Sequence, residues 1–533
     1  MKKLLSTVLC AALMLSMAAC GNSGSNSSAS SGAASSVGST GTAASATAGE
    51  PKKGGVLRYA TNSSCTTPGY TPECTNNASL IFLTTAYESL TYYDESGKIV
   101  GKLATSWETD PKEPSITWHL RTGVKFADGT DFNAEAVKTN IEEYQKCNRN
   151  ETKNVASCKV IDDHTVKMVL KSWNSSTLES VGFFVYYMSP TALKDVNKLR
   201  NSSCGTGAFQ VTSFQSGVSV KYAANKNYWQ KGKPYLDGVE IYTVNEPTTR
   251  ASAFQAGEYD IVHMNDLTVS QQLIKNTSYV MESNKSGQGL VGTGLIPNSS
   301  DPNSPFAKPE VRQAMCYAID ADALCKTFGY GMLKTTNQWA APGAITYSKD
   351  VKGYPYDVTK AKQLLAQAGY PNGFDTTVTT DPGNKDIFTA AANMLTEAGI
   401  RCTVNLVDES TQVKLYSTGT WKGIMGHFHA ISPDLGLYMG RHLDKDGAFY
   451  AAGIQHPQDA LDLLQKIRIA PSDTEKVDLE HQMQSLIYDK LALFGKPIFI
   501  QNEPIFKYKY VMDDGRGVDH VGTWNIENCW LNK

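Results

Sequence analysis

The sequence has no G-x-S-x-G elbow, no H-E-x-x-H helix and no G-x-x-x-x-G-K-[ST] loop. The common local signatures of serine hydrolases, zinc peptidases and P-loop enzymes are therefore missing. There is no C-x-x-C pair, which argues against a zinc ribbon or a thioredoxin-type redox site. Neither sign of charge prevails: 50 Lys and Arg face 52 Asp and Glu, for a formal net charge of −2. That balance gives no basic face and points away from nucleic acid. The N-terminal apolar run, Leu4 to Ala19, is shorter than the ~20 residues that span a bilayer. No internal repeat is present, and beyond residue 48 no low-complexity segment.

What remains is a large globular composition. Hydrophobic residues make up 41% of the 533, so length alone predicts two or three domains. The 26 Tyr and 8 Trp are enough to line a binding cleft, although most such rings serve as core. Lys2 and Lys3 followed by the short apolar run read as a leader. Met17-Ala18-Ala19-Cys20 looks like a bacterial lipobox, which predicts removal of residues 1–19 and a lipidated Cys20. Asn22 to Ala48 is almost entirely Ser, Gly, Ala, Thr and Asn; residues 20–54 read as an anchored flexible tether.

Of 11 cysteines, nine lie beyond Cys20. An odd number outside the cell leaves at least one free thiol if all pairing is intramolecular. Cys65 with Cys74 and Cys147 with Cys158 are the plausible local bridges. Cys316 and Cys325 pair only if the helix bends at Asp320, since nine residues of straight helix separate them by about 13 Å.

The most informative stretch runs from Gly101 to Val137. Leu103-Ala104 and Trp107 lead into an alternating strand, Ile116, Trp118, Leu120. Arg121, Val124 and Phe126 precede an Asp128-Gly129 turn, and Asn133 stands at a helix N-cap position. Val137, Ile141 and Tyr144 share one face of the helix that follows. Further on, Asp357 caps a helix with Ala361, Leu364, Leu365 and Ala368 on one face, stopped by Gly369 and Pro371. Phe374 to Thr380, Ile387 to Ala398 and Cys402 to Val407 read as a β-α-β unit. A later helix starts near Ser472 or Asp473.

In this order these landmarks resemble the extracytoplasmic solute-binding proteins of ABC importers, in the family that carries oligopeptides, dipeptides and nickel chelates. The likeness extends through Cys204-Gly205-Thr206-Gly207-Ala208-Phe209, Asn227-Tyr228-Trp229 with Gly232 to Asp237, Val311-Arg312-Gln313-Ala314, and Tyr356 to Pro371. It covers roughly Gly54 to Val511. The resemblance implies an α/β, two-lobed periplasmic-binding-protein fold (type II-like, cluster C) with an extra inserted subdomain. Lobe I would comprise 55–80, 204–288 and 506–533, with 81–203 inserted, and lobe II 289–505. It implies a non-enzymatic monomer without a cofactor that closes on a peptide between its lobes. Its partners would be the transmembrane subunits of an ABC permease and, through the lipid, the outer face of the cell membrane. A metal chelate, an oligosaccharide, a sensor role or an anchored hydrolase are the alternatives.

Gly287-x-Gly289-x-x-Gly292 matches the dinucleotide pattern but runs into Thr293-Gly294-Leu295-Ile296, which reads as strand, so it is taken as a glycine-rich crossing strand. The richest segment for ligand contact is Trp421 to Asp434. Peptide-binding members carry G-W-x-x-D-Y there, and its aspartate receives the peptide ammonium. Register on Gly426 puts His427 at the tryptophan position and Ala430 at the aspartate position; the nearest acid is Asp434. His427 and His429 alternate onto one strand face, where imidazoles suit a carboxylate, a sugar or a nickel or copper ion. With Tyr92, Trp339 and Trp421, these are the candidate ligand contacts.

Overall fold

The computed structural model describes residues 50–533, apart from 75–79, 95–97, 265, 283–290, 341, 433, 448, 502–503 and 516–523. Two mixed sheets build two lobes. The first sheet has the spatial order Tyr279–Glu282, Ile505–Tyr508, Ile261–His263, Val56–Thr61, Gly238–Thr243, Ser219–Ala224, Phe209–Gln215. Val56–Thr61 lies parallel to both of its neighbours, and the other pairs are antiparallel. The second sheet runs Leu333–Thr335, Lys496–Gln501, Val291–Pro297, Ile424–Ala430, Phe374–Thr380, Ile400–Leu406.

The chain passes from one sheet to the other between Glu282 and Val291 and returns between Gln501 and Ile505. Outgoing and returning strands pair antiparallel on both sides of the crossing. Between the first strand of the first sheet and its next, residues 104–170 form an antiparallel sheet of their own: Ala104–Asp110, Ser115–Leu120, Thr165–Leu170, Val155–Asp162. This sheet has no core to itself. Ile116, Trp118, Val166 and Met168 belong to one apolar cluster with Leu57, Tyr59, Val239 and Ile241 of the large sheet. The second lobe is layered, with separate clusters against its two faces, one around Phe388 and Leu365, the other around Trp421 and Met439.

Local chemistry sets the element ends. Asn133 accepts the Ala136 N–H at 2.9 Å and Asp357 the Lys360 N–H at 2.8 Å, each satisfying an otherwise orphaned helix donor. Ser472 does the same for Glu475 at 3.2 Å. Phe374–Thr380 and Ile400–Leu406 are parallel and joined by the helix Lys385–Glu397, so the predicted β-α-β unit is present. A helix break at Asp320 separates Cys316 from Cys325, and both are buried free thiols. Cys65, Cys74, Cys147 and Cys158 are free as well, contrary to the local bridges expected from spacing. The Cys74 thiol donates instead to the Thr67 carbonyl at 3.2 Å, and Cys147 hydrogen-bonds the Tyr70 hydroxyl at 3.2 Å.

The motifs that mark the sequence converge on one buried carboxylate, Glu88. Thr206 donates to it at 2.8 Å, Trp229 Nε1 at 2.9 Å and Tyr228 at 3.2 Å. Lys102 lies 3.7 Å away and also pairs with Glu527 at 3.2 Å. The Arg121 guanidinium covers the Trp229 ring at 4.6 Å and donates to the Lys102 carbonyl at 2.9 Å. Burial raises the Glu88 pKa, opposed by Lys102 and by the Trp229 and Thr206 hydrogen bonds. A carboxylate this buried persists only because nearly every oxygen lone pair is met.

Candidate binding cavity

A cavity of about 460 Å³ separates the 71–186 region of the first lobe from the 436–468 region of the second. That volume lies in the range of ~300–1,000 Å³ typical of small-ligand sites. On the first-lobe side, helix Ala134–Lys146 buries Val137, Ile141 and Tyr144 and so delivers Arg149 to Lys153 to the cavity wall. Tyr144 donates to Thr71 Oγ1 at 3.0 Å and accepts the Tyr186 N–H at 3.1 Å, while Thr71 donates to the Tyr186 carbonyl at 3.1 Å. This closed set fixes three wall residues. On the opposite side, helix Leu435–Leu443 packs closely because Gly436 and Gly440 carry no side chain. A Cβ on either would stand 2.6 Å from Ile467 or Arg468. That approach turns Leu437 and Arg441 to the cavity.

The wall carries four cations, Arg149, Lys153, Arg441 and Arg468, against three acids, Glu151, Asp444 and Asp446. Arg149 is paired with Glu151 at 2.7 Å, and Arg468 is forked onto Asp444. Arg441 differs. Among the described residues it has no ion-pair partner and donates no hydrogen bond; its guanidinium lies 5.2 Å from the centre of the Phe449 ring. It is solvent-accessible, yet the surrounding protein lowers its pKa through burial, with Glu151 and Glu179 pulling the other way.

Beside the cavity the lobes touch through a polar seam. Ser175 donates its N–H to the Arg468 carbonyl at 2.8 Å and its hydroxyl to the Ile467 carbonyl at 3.0 Å, and Trp173 Nε1 reaches the Ala470 carbonyl at 3.4 Å. Ser176 donates to Asp434 Oδ1 at 3.0 Å. Asp434 also accepts the Leu437 N–H at 2.7 Å as helix cap and pairs with Lys476, which lies 4.0 Å from Glu480. Across the seam, burial and the Asp434 charge push the Glu179 carboxyl up to about 8, with Tyr93 and Lys476 opposing. Burial works against the Lys476 charge, but Asp434 and Glu480 raise its pKa above the ordinary lysine range.

The structure does not gather the sequence-predicted contacts in one place. Asp434 is buried, with its carboxylate engaged as just described. Trp421 and His427 both stack on Tyr416, at 5.8 Å and 4.6 Å between ring centres, inside the second lobe. Burial lowers the His427 pKa to about 4, Asp381 opposing, so its imidazole is neutral at pH 7. Trp339 is buried over Gly292 and Gly294; a Cβ on Gly292 would meet its ring at 2.2 Å. Tyr92 lines smaller cavities of the first lobe, with Lys102 5.7 Å from its ring centre. The His429 side chain, Cys20, Gly287 and Gly289 lie outside the described residues. Gly292 is in a strand, which leaves no helix N-terminus there for a pyrophosphate. Among the described residues no group of three or more His, Cys, Asp or Glu side chains is placed to hold a metal ion.

Sequence reasoning passed over Arg441, Arg149 and Arg468. Only Gly436, Gly440 and Gly447, close together around a short helix, hint at close packing beside a cavity.

Comparison with known proteins agrees with this architecture. The chain is 31% identical over 335 residues to the glutathione-binding protein GsiB of Shigella flexneri, a match covering 60% of this chain and 64% of that relative. In three dimensions it is similar to the ABC transporter substrate-binding protein CtaP of Listeria monocytogenes, with a TM-score of 0.79 at 18% identity over 90% of this chain and 100% of that one. The periplasmic binding protein DppA of Helicobacter pylori, solved with the peptide STSA, gives 0.70 at 23% identity over 90% and 99%. These two likenesses are of fold. Among the described residues no helix is long and apolar enough to cross a membrane. The profile of the bacterial extracellular solute-binding proteins, family 5 Middle, matches residues 98–450, and with the two-lobed α/β fold around a central cavity the chain belongs to that family.

Proposed function

We propose that this protein captures a solute, peptides in the first place, between its lobes and delivers it to an ABC permease without altering it chemically. The observation that carries this reading is the cavity of about 460 Å³ walled by both lobes. Two strand connections join the lobes, so they swing about a hinge and bury the ligand on closing. The units of movement are 55–80, 204–288 and 506–533 with the inserted 81–203, against 289–505. Segment 81–203 moves with lobe I because the two share one core. The peptide backbone is held by polar wall groups, and its side chains rest among water, so sequence matters little to affinity.

The protein acts as a monomer on the outer face of the membrane, tethered through a lipid on Cys20. Met17-Ala18-Ala19-Cys20 supports that anchor, and residues 22–48 supply the reach. A Cys20→Ala variant released into the medium, against a membrane-bound parent, is the expected result; equal retention of both sinks the anchor.

Native mass spectrometry of the purified protein tests the function. A ladder of added masses that fragment as short peptides is expected. One non-peptide mass, or a protein neither loaded nor thermally stabilised by a mixed peptide pool, would retire the peptide reading. Fragmentation of the pool by pure protein would replace binding with hydrolysis.

A further inference from the structure

Inside the seam beside the cavity, carboxyl groups from the two lobes meet. Glu179, on the first-lobe helix Thr177–Phe183, and Asp434, at the start of Leu435–Leu443, are both buried, and their side chains hydrogen-bond each other. Two carboxyl groups do this only with a proton between them. The surroundings decide which one carries it. Asp434 accepts from Ser176 and the Leu437 N–H and pairs with Lys476. Glu480 lies near the same lysine and accepts the Gly436 N–H at 3.0 Å. Around Glu179 stand Tyr93, from the strand Thr91–Tyr93, and, from the second lobe, Asp434, Lys476, Glu480 and Arg441. The 150–152 turn packed on its helix adds Glu151, which Arg149 already holds, and Lys153 follows at the cavity wall. Lys476 is thus shared by two other acids, Tyr93 supplies a neutral hydrogen bond, and Glu179 keeps its proton.

The neighbouring contacts of the seam are indifferent to pH. Trp173 and Ser175 donate to the Ala470, Arg468 and Ile467 carbonyls, and none of these groups titrates near neutrality. We propose that the proton held between Glu179 and Asp434 is a latch on lobe closure: while it is in place the lobes stay shut on the solute, and its loss to solvent at alkaline pH leaves two buried anions face to face and parts them. In the parted state water solvates both carboxyl groups, so the proton is bound on closing and given up on opening. With the closed Glu179 carboxyl at about 8 and an ordinary value of 4.5 in water, closing takes up a proton across that window and weakens as pH rises through it. The latch presumes the hinge closure proposed above and adds what sets its balance.

Deuterium exchange of the full chain reads the seam directly, because the Ser175 N–H is bonded across it to the Arg468 carbonyl. In the parent, protection of segment 173–176, corrected for the intrinsic rise of exchange with pH, should fall at least ~10-fold between pH 6 and pH 9. Glu179→Gln, neutral at every pH, should hold its protection at pH 9. Asp434→Asn, which keeps an oxygen for the Leu437 N–H and removes the second negative charge, should do so too, and it decides alone if Glu179→Gln has already lost the seam at pH 6. A casein-digest pool of short peptides gives a second readout. Over the same range its affinity should drop about 10-fold more for the parent than for Glu179→Gln, a comparison that cancels the titration of the peptides themselves. Equal parental protection at both pH values overturns the latch, as do neutral variants that open like the parent or an equal drop in peptide affinity. Each of these leaves peptide capture standing so long as the pool binds. A pool that binds at neither pH retires the peptide reading, and the exchange data still decide the latch.

Discussion

Two regions of this protein hold charge, and they do so in opposite ways. Around Glu88 the carboxylate is surrounded by Thr206, Tyr228, Trp229 and Lys102, with Glu527 closing the far side of the lysine. Arg441 is exposed at the cavity, and among the described residues no acid forms an ion pair with it. A buried charge whose partners are complete holds a fold together; an exposed one is solvated by water and needs no protein partner. The same physics gives the first a structural role and asks none of the second.

The sharpest way to break the comparison is at Glu88. Glu88→Ala leaves the buried Thr206 and Tyr228 and the half-buried Trp229 without their acceptor and should cost about 3–5 kcal/mol, read as a lower denaturant midpoint. Trp229→Phe keeps the ring beside Arg121 but removes one charge-assisted hydrogen bond, for about 1.5–3 kcal/mol in the same measurement. If either variant unfolds like the parent, Glu88 is not the keystone described here.

The seam between the lobes sits between these extremes, since Glu179 faces Asp434, Tyr93 and Lys476 at once. Its folded carboxyl keeps its proton up to about pH 8, whereas the unfolded one loses it near 4.5. The folded state thus binds more protons between those values, and stability falls as pH rises across that window. Glu179→Gln should flatten the fall and raise Tm at pH 8 by roughly 2–4 °C, with little change at pH 4. An unchanged profile would place the proton elsewhere.

The smallest effect is expected at Arg441. Because Arg441 is exposed and no ion pair or hydrogen bond among the described residues uses its guanidinium, Arg441→Gln should leave stability of the ligand-free protein within about 0.5 kcal/mol. A large loss would mean that the guanidinium has a structural partner and would erase the contrast with Glu88.

This contrast also explains what could be read in advance. Asn133, Asp357 and Ser472 were legible as caps, and 374–406 as a β-α-β unit, because both depend on near neighbours and on periodicity. The two-lobed fold followed from motifs whose order is itself local information. The cavity wall was not legible. It joins Tyr144 and Arg149 to Arg441 and Arg468, residues nearly three hundred positions apart on surfaces with no regular pattern. Strand alternation put His427 and His429 among the candidates, beside Trp421 of the same segment, but alternation does not say whether a face meets solvent or another layer. Here Tyr416 and the second-lobe helices cover that face. The expected bridges failed for a related reason: spacings of nine and eleven residues permit a disulfide without orienting two thiols.

One feature of the first sheet bears on how the molecule is made. Strand Ile505–Tyr508 is inserted between Ile261–His263 and Tyr279–Glu282, although the whole second lobe separates it from them in sequence. Val56–Thr61 likewise waits for Gly238–Thr243. The first lobe therefore begins early and finishes last, and a chain stopped before residue 505 would expose two strand edges where aggregation starts. Such a topology folds slowly and late, after the polypeptide is complete. For a chain that must be threaded across a membrane before it takes shape, that delay is an advantage built into the order of its strands.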